Sequence, residues 1–276
     1  MGIMDRIRGI FSSSPGDLEQ QADTELWSPQ MGGDYKSFWD SMAKDKAGAY
    51  LAVAGEPFGE PATDESISAH GKDTAQILVS KMGIAKDDHV LEVGVGVGRI
   101  AEHIVPLCAR FAGTDISANM IELAKKRLEG LGKVDLYASD KSDLSMFPDN
   151  TFDKVFFQVV LIHLDREDAF HYMREARRVL KPGGLAWFQF YNVLHPRGFR
   201  EFEFAVDYMI EKGAKTRGRV HCYTADEVRQ FVGRAGLVLD ERASHLEDVD
   251  QSFNFDIPDT DWEFYLIALA RKPEDG

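Results

Sequence analysis

The sequence predicts an α/β fold built on a parallel sheet, and three observations carry that expectation. Short apolar runs alternate with amphipathic stretches from residue 89 onward, the order that gives parallel strands joined by crossover helices. Val90-Leu91-Glu92-Val93 climbs into Gly94-Val95-Gly96-Val97-Gly98 and then into a helix-patterned segment, which reads as a strand, a tight loop and a helix start. A second apolar run, Phe111 to Ile116, carries an acid at its end, Asp115, 23 residues beyond Glu92.

Taken in order, the elements begin with a short amphipathic helix over 1–11. Ile3, Ile7, Ile10 and Phe11 form its stripe, with Arg6 and Arg8 beside it. Such a stripe packs on the body of the protein or on a neighbour, or lies on a membrane surface. Ser12 to Gly16 reads as a linker. Trp27, Tyr35, Phe38 and Trp39 follow closely, either as a lid over a site or as an anchor for the N-terminus. Residues 73–82 read as a helix. The core reads as strand 89–94, helix 98–109, strand 111–116, helix 117–129 capped by Ser117, strands 134–138 and 152–160, helix 166–180 and strand 185–191. Lys181-Pro182-Gly183-Gly184 ends the helix before that last strand, since proline cannot continue it. Phe199 to Lys212 is a helical insert within 193–223. Thr224-Ala225-Asp226-Glu227 is a capping box opening a helix that ends near Gly236. Strands near 237–243 and 262–270 close the sheet. The domain expectation is a helical, aromatic cap or lid over 1–70 and a ligand-binding domain over 71–276.

Composition narrows the function classes. A chain of 276 residues with 44% hydrophobic content is globular, and no apolar run reaches the roughly 18 residues a membrane span needs. Net charge is −14, which argues against a nucleic-acid groove. The two cysteines, Cys108 and Cys222, make neither a disulfide framework nor a zinc site, and no metal-ligand spacing is found. No signal-peptide layout opens the chain, so a cytoplasmic protein is expected, with homo-oligomer formation left open.

The glycine loop carries the chemistry. A dinucleotide fingerprint needs G-x-G-x-x-G with a pyrophosphate on the helix N-terminus. Here the spacing is G-x-G-x-G, and Glu92 stands two residues before the first glycine. A carboxylate there repels a pyrophosphate and suits a cation such as a ligand ammonium. An acid at the end of the second strand, Asp115, is placed to hold the two hydroxyls of a ribose.

The ordered set of these motifs resembles the class I S-adenosylmethionine (SAM)-dependent methyltransferases, small-molecule type. The resemblance runs over residues 89–192. It rests on Glu-x-Gly-x-Gly-x-Gly, Asp115, Ser139 to Leu144, Phe147 to Asp153, Leu161-Ile162-His163-Leu164 and Lys181-Pro182-Gly183-Gly184. It implies a Rossmann-like sheet of seven strands, the last antiparallel, with helices on both faces. It also implies SAM as cofactor and S-adenosylhomocysteine (SAH) as product. By the same resemblance Gly94, Gly96 and Gly98 pack under the cofactor and Glu92 meets its amino-acid end. Asp115 takes the ribose, Ile116 packs on the adenine, and Asp140 accepts from the adenine amino group with the Lys141 backbone nearby. Gln158 lines the methionine side.

The acceptor side is read from individual residues. The segment Gln158 to His163 lacks the Asn/Asp-Pro-Pro-aromatic pattern of enzymes that methylate nucleobase or glutamine amines. A nucleobase or glutamine amide is therefore disfavoured, the oxygen or amine of a small metabolite is left, and a hydroxyl is the first expectation. His163, just past the fourth strand, titrates near neutral pH and is the candidate general base; its alternative is packing on the cofactor. Asp165 either orients it or caps the next helix. Trp39, Tyr191, His195, Arg197, His221 and Tyr223 are the candidate substrate contacts, with His221 the reserve base. N- or C-methylation of a small metabolite, and a SAM- or SAH-binding regulatory module without chemistry, stand as alternatives.

Overall fold

The structure, a computed structural model, describes residues 35–54, 62–139, 141, 143–213, 220–246 and 264–274. The expectations for residues 1–16, Trp27 and Asp140 lie outside these residues. From Tyr35 onward the chain forms one compact unit.

Three helices precede the sheet: α1 (Tyr35–Met42), α2 (Lys46–Ala54) and α3 (Asp64–Met82). The α/β alternation follows as β1 (His89–Val93), α4 (Ala101–Ile104), β2 (Arg110–Asp115), α5 (Ala118–Arg127), β3 (Val134–Ala138), β4 (Phe152–Phe157), α6 (Arg166–Val179) and β5 (Leu180–Asn192). Then come α7 (Pro196–Lys212), β6 (Cys222–Tyr223), α8 (Ala225–Arg234), β7 (Val238–Leu239) and β8 (Tyr265–Arg271). The strands form a sheet in the order β3-β2-β1-β4-β5-β8-β7, with β6 paired to β5. The pairs β1–β2, β1–β4, β2–β3, β4–β5 and β5–β6 are parallel, while β8 runs antiparallel to β5 and β7. Strand order reverses between β1 and β4, so a crevice opens at their carboxyl ends, where open α/β sheets bind ligands.

Period-two side chains divide the core between the two faces of the sheet. Leu91, Val93, Phe157 and Phe188 pack with Met173 of α6 and Val228 of α8 on one face. Val90, Phe111, Phe156 and Trp187 pack with Leu78 of α3 and Ile121 of α5 on the other. With both faces covered, β1 is buried from Val90 to Val93, and Glu92 is carried into the interior with its neighbours.

Several boundaries differ from the sequence reading. The helix expected over 98–109 is regular only over α4 and finishes as a 3₁₀ turn, Val105–Leu107, because Pro106 has no N–H to continue the ladder. The strand expected to reach 160 stops at Phe157, since Val159 takes φ 58°. Strand β5 starts at Leu180 rather than 185, with a register shift opposite Phe152 and Lys154. The Lys-Pro-Gly-Gly stretch therefore runs along the sheet, and the Gly183 N–H donates to the Lys272 carbonyl at 3.0 Å. Helix α3 starts at Asp64, nine residues before 73, behind a Thr63–Ser66 capping box. The short strand β6 makes an eighth strand among the described residues. The Ser117 and Thr224 caps are in place, accepting from the N–H groups of Met120 and Glu227.

Candidate active site

The glycine loop connects β1 to α4 across the crevice. Gly94 and Gly96 take φ 77° and 52°, a region L side chains avoid. A Cβ on Gly94 would stand 2.3 Å from Val160 Cγ2, and one on Gly96 would stand 2.9 Å from Val53 Cγ1 of α2. The loop is thus held closely between the end of β4 and the N-terminal helices. Gly98, at φ 78°, packs against Ala124 and Leu128 of α5 and lies behind the cavity.

Asp115 closes β2 against this loop. Its Oδ2 accepts the Gly96 N–H at 2.8 Å and its Oδ1 accepts the Ser117 N–H at 2.9 Å. A carboxylate offers about four lone-pair sites, so each oxygen keeps capacity for a ligand hydroxyl. Burial pushes Asp115 up to about 6, and the two N–H bonds oppose that rise. Asp40 of α1 also raises it through charge, and accepts the Ser117 hydroxyl at 2.7 Å.

Deeper in the cavity lie a buried acid and a buried base. Glu92 is 2% exposed and Arg99 is 8% exposed. Burial drives Glu92 well above the usual carboxylate range, with Arg99 only partly opposing it. Burial likewise lowers Arg99, against the pull of Glu92. Glu92 Oε2 and Arg99 Nη1 make no hydrogen bond. Leaving two such groups unsatisfied is costly, and a zwitterion fits both, its ammonium on Glu92 and its carboxylate on Arg99. That is the amino-acid end of SAM. Asp115 fits the ribose, so the residues present fit the cofactor.

The acceptor half is assembled from separate segments. The 3₁₀ turn Leu161–His163 follows β4, and the Trp39 ring stands edge-on to His163 with centroids 5.0 Å apart. The Tyr35 hydroxyl donates to Asp168 at 3.2 Å and accepts the Asp165 N–H at 3.0 Å. Val159, β-branched and left-handed, lines the same wall; such strain collects at ligand sites. Gln158 Oε1 accepts the Trp187 Nε1–H at 3.3 Å.

One cavity brings together Trp39, Glu92, Gly94, Gly96, Asp115, Ile116, Gln158 and His163. Lys141 lies beside it: its carbonyl accepts from Tyr172 at 3.3 Å, and Tyr172 and Ser139 line the wall. Asp165 stands at the N-cap of α6 without a side-chain cap bond, and its carboxylate is 3.5 Å from His221 Nε2. The remaining candidates lie off the cavity lining. His195 is 2% exposed, and its Nδ1 accepts the Arg197 N–H to cap α7. Arg197 stacks over Phe264 at 4.7 Å, Tyr191 packs on Phe264 at 4.2 Å, and Tyr223 is fully buried. Among the described residues no group of His, Cys, Asp and Glu could hold a metal ion.

Arg99, Tyr35, Val53 and Tyr172 line the cavity but are absent from the sequence reading of the cofactor and acceptor residues. Arg99 had a signal. A cation directly after the last glycine, where a helix opens, opposes the helix dipole and calls for an anionic partner. Tyr35 belongs to the aromatic run expected as a lid or an anchor; Val53 and Tyr172 come from distant segments, and nothing in their local sequence marks them.

A parallel sheet with its order reversed at β1/β4, an acid-led glycine loop and an acid closing β2 define a class I methyltransferase fold. Residues 91–188 match the methyltransferase domain family, which supports a class I SAM-dependent methyltransferase domain there. Among curated proteins, the chain is 30% identical to methyltransferase GfsG of Streptomyces halstedii, over 45% of this chain and 45% of that protein. It is 40% identical to the ubiquinone/menaquinone biosynthesis C-methyltransferase of Desulfotalea psychrophila, over 40% of this chain and 44% of that protein. The match thus spans about half the length of these relatives. Among solved structures, magnesium protoporphyrin IX methyltransferase of Synechocystis with bound SAH has a TM-score of 0.58. It is 16% identical and covers 87% of this chain and 100% of that one. At that identity the likeness is one of fold. No helix among the described residues is long and apolar enough to cross a membrane.

Proposed function

We propose that the protein transfers a methyl group from SAM to a small-molecule acceptor, that the acceptor atom is a hydroxyl oxygen, and that His163 takes its proton. The supporting observation is that Glu92, Arg99 and Asp115 share one cavity with His163 and Trp39. When bound, SAM supplies an activated methyl on a sulfonium and departs as SAH. Glu92 and Arg99 hold its zwitterionic end and Asp115 its ribose. Ile116, Asp140 and Lys141 border the adenine, and Gln158 borders the methionine chain. Of the cap expected before residue 71, Tyr35 and Trp39 cover the acceptor side and exclude water. The acceptor O–H proton passes to a ring nitrogen of His163 as the oxygen gains the methyl.

Carbon methylation is the second reading, favoured by the 40% identity to a quinone C-methyltransferase; it too needs a base. A screen for SAH formation over phenols, carboxylic acids, sugars and amines, with mass spectrometry of the product, tests the proposal. The expected result is one methyl on oxygen per SAH released. Methylation only of amines overturns the role of His163. Tight SAM binding with no SAH from any acceptor supports the binding-module alternative.

A further inference from the structure

His221 reaches the turn that carries His163. Its backbone N–H donates to the Ile162 carbonyl at 2.6 Å, and its ring Nε2 lies 3.5 Å from Asp165 Oδ1. Their side chains are 16% and 33% exposed, so the pair is partly shielded from water. Asp165 occupies the N-cap of α6, and no side-chain cap bond forms there. Its backbone N–H is held from the other side by the Tyr35 hydroxyl. Among the described residues, the charged neighbours Arg166 and Asp168 hold other partners. Arg166 binds Glu227 at 2.6 Å and lies over the Tyr223 ring at 4.9 Å, and Asp168 accepts from Tyr35. The turn from Leu161 to Asp165 is thus gripped by α1 on one side and by the residue before β6 on the other.

We propose that His221 is a positioning residue: through Asp165 it fixes this turn, and so sets the direction in which His163 faces the acceptor. The inference rests on the reading of His163 as the acceptor-side base.

The test uses the full chain loaded with SAH and NMR of its labelled histidines. The edge-on Trp39 ring gives the His163 ring protons a ring-current shift that reports their placement. His221→Ala and Asp165→Asn are each expected to remove that shift, with SAH affinity held within about twofold. His221→Gln, whose amide nitrogen can reach Asp165, is expected to restore it. An unchanged shift in His221→Ala overturns the proposal, and so does a His221→Gln variant that fails to restore it. Should the alanine variant not fold, Asp165→Asn and His221→Gln decide the question alone. Because the readout needs no turnover, it separates from the base reading. A positioned His163 whose removal leaves turnover intact would sink the base and spare the clamp.

Discussion

The two halves of the cavity are built differently. The cofactor half is backbone and strand ends: the loop from Gly94 to Gly98, with Glu92 and Asp115 fixed by the sheet itself. The acceptor half is a meeting of side chains from α1, the Leu161–His163 turn and the approach to β6. The first is set once the sheet forms. The second needs three elements to dock, so it can vary in acceptor without disturbing the first. Substitutions in one half should therefore leave the other's property intact, and each expectation below would break or sharpen that division.

The largest effect is expected from His163→Ala. Removing a positioned base costs ~10²–10⁴-fold in turnover, while SAM affinity stays close to that of the unaltered protein. The loss should shrink at high pH, where more acceptor is already ionised. Turnover within a few-fold of the unaltered protein would reject the base role, and a matching loss of SAM affinity would move His163 into the cofactor half.

Next is Asp115→Ala, which removes charge-assisted bonds to the ribose worth about 1.5–3 kcal/mol, or ~10–150-fold in SAM dissociation constant by calorimetry. The same carboxyl sets a pH dependence. With Asp115 held at about 6, SAM affinity should weaken as the pH falls below 6 and the carboxylate is protonated. Stability of the empty protein should move the opposite way. A carboxyl raised above its unfolded value contributes stability that is present at low pH and lost as pH rises through the folded value. The contributions of Asp115 and Glu92 to the empty protein are therefore larger near pH 5 than near pH 8. The SAM-induced rise in Tm should be larger at pH 8.

Glu92→Gln separates the two properties further. It takes the acidic neighbour away from buried Arg99, so the Tm of the empty protein should fall by a few degrees. SAM affinity should fall. An unchanged or higher Tm would mean that Glu92 does not compensate Arg99 in the empty protein. The smallest effect is expected for Tyr35→Phe. It deletes part-buried bonds to Asp165 and Asp168 worth about 0.5 kcal/mol each and should lower Tm slightly, with SAM affinity unchanged.

The same division governs what could be read from sequence. The cofactor half was legible because its parts are contiguous or at strand ends: an acid, alternating glycines and an acid closing the next strand fix their own geometry. Glu92, Gly94, Gly96, Asp115, Ile116 and Gln158 line one cavity. The acceptor half was legible only as candidates. Trp39 and His163 do meet, but nothing local says that Asp165 lies by His221 or that Tyr35 reaches Asp165, 130 positions away. His195, an acceptor candidate by position, is a buried helix cap. Boundaries slipped where one residue overrides a pattern, as Pro106 does after the loop and the left-handed Val159 does after β4.

The central claim is that this cavity takes SAM through its two acids. Calorimetric titration of the purified full chain with SAM, SAH and NAD at pH 8, repeated on Asp115→Ala, tests it most directly. The account expects SAM and SAH to bind on the micromolar scale and the Asp115 variant to weaken both by at least tenfold, without binding of NAD. Tight NAD binding without SAM binding, or SAM affinity indifferent to Asp115, would contradict it.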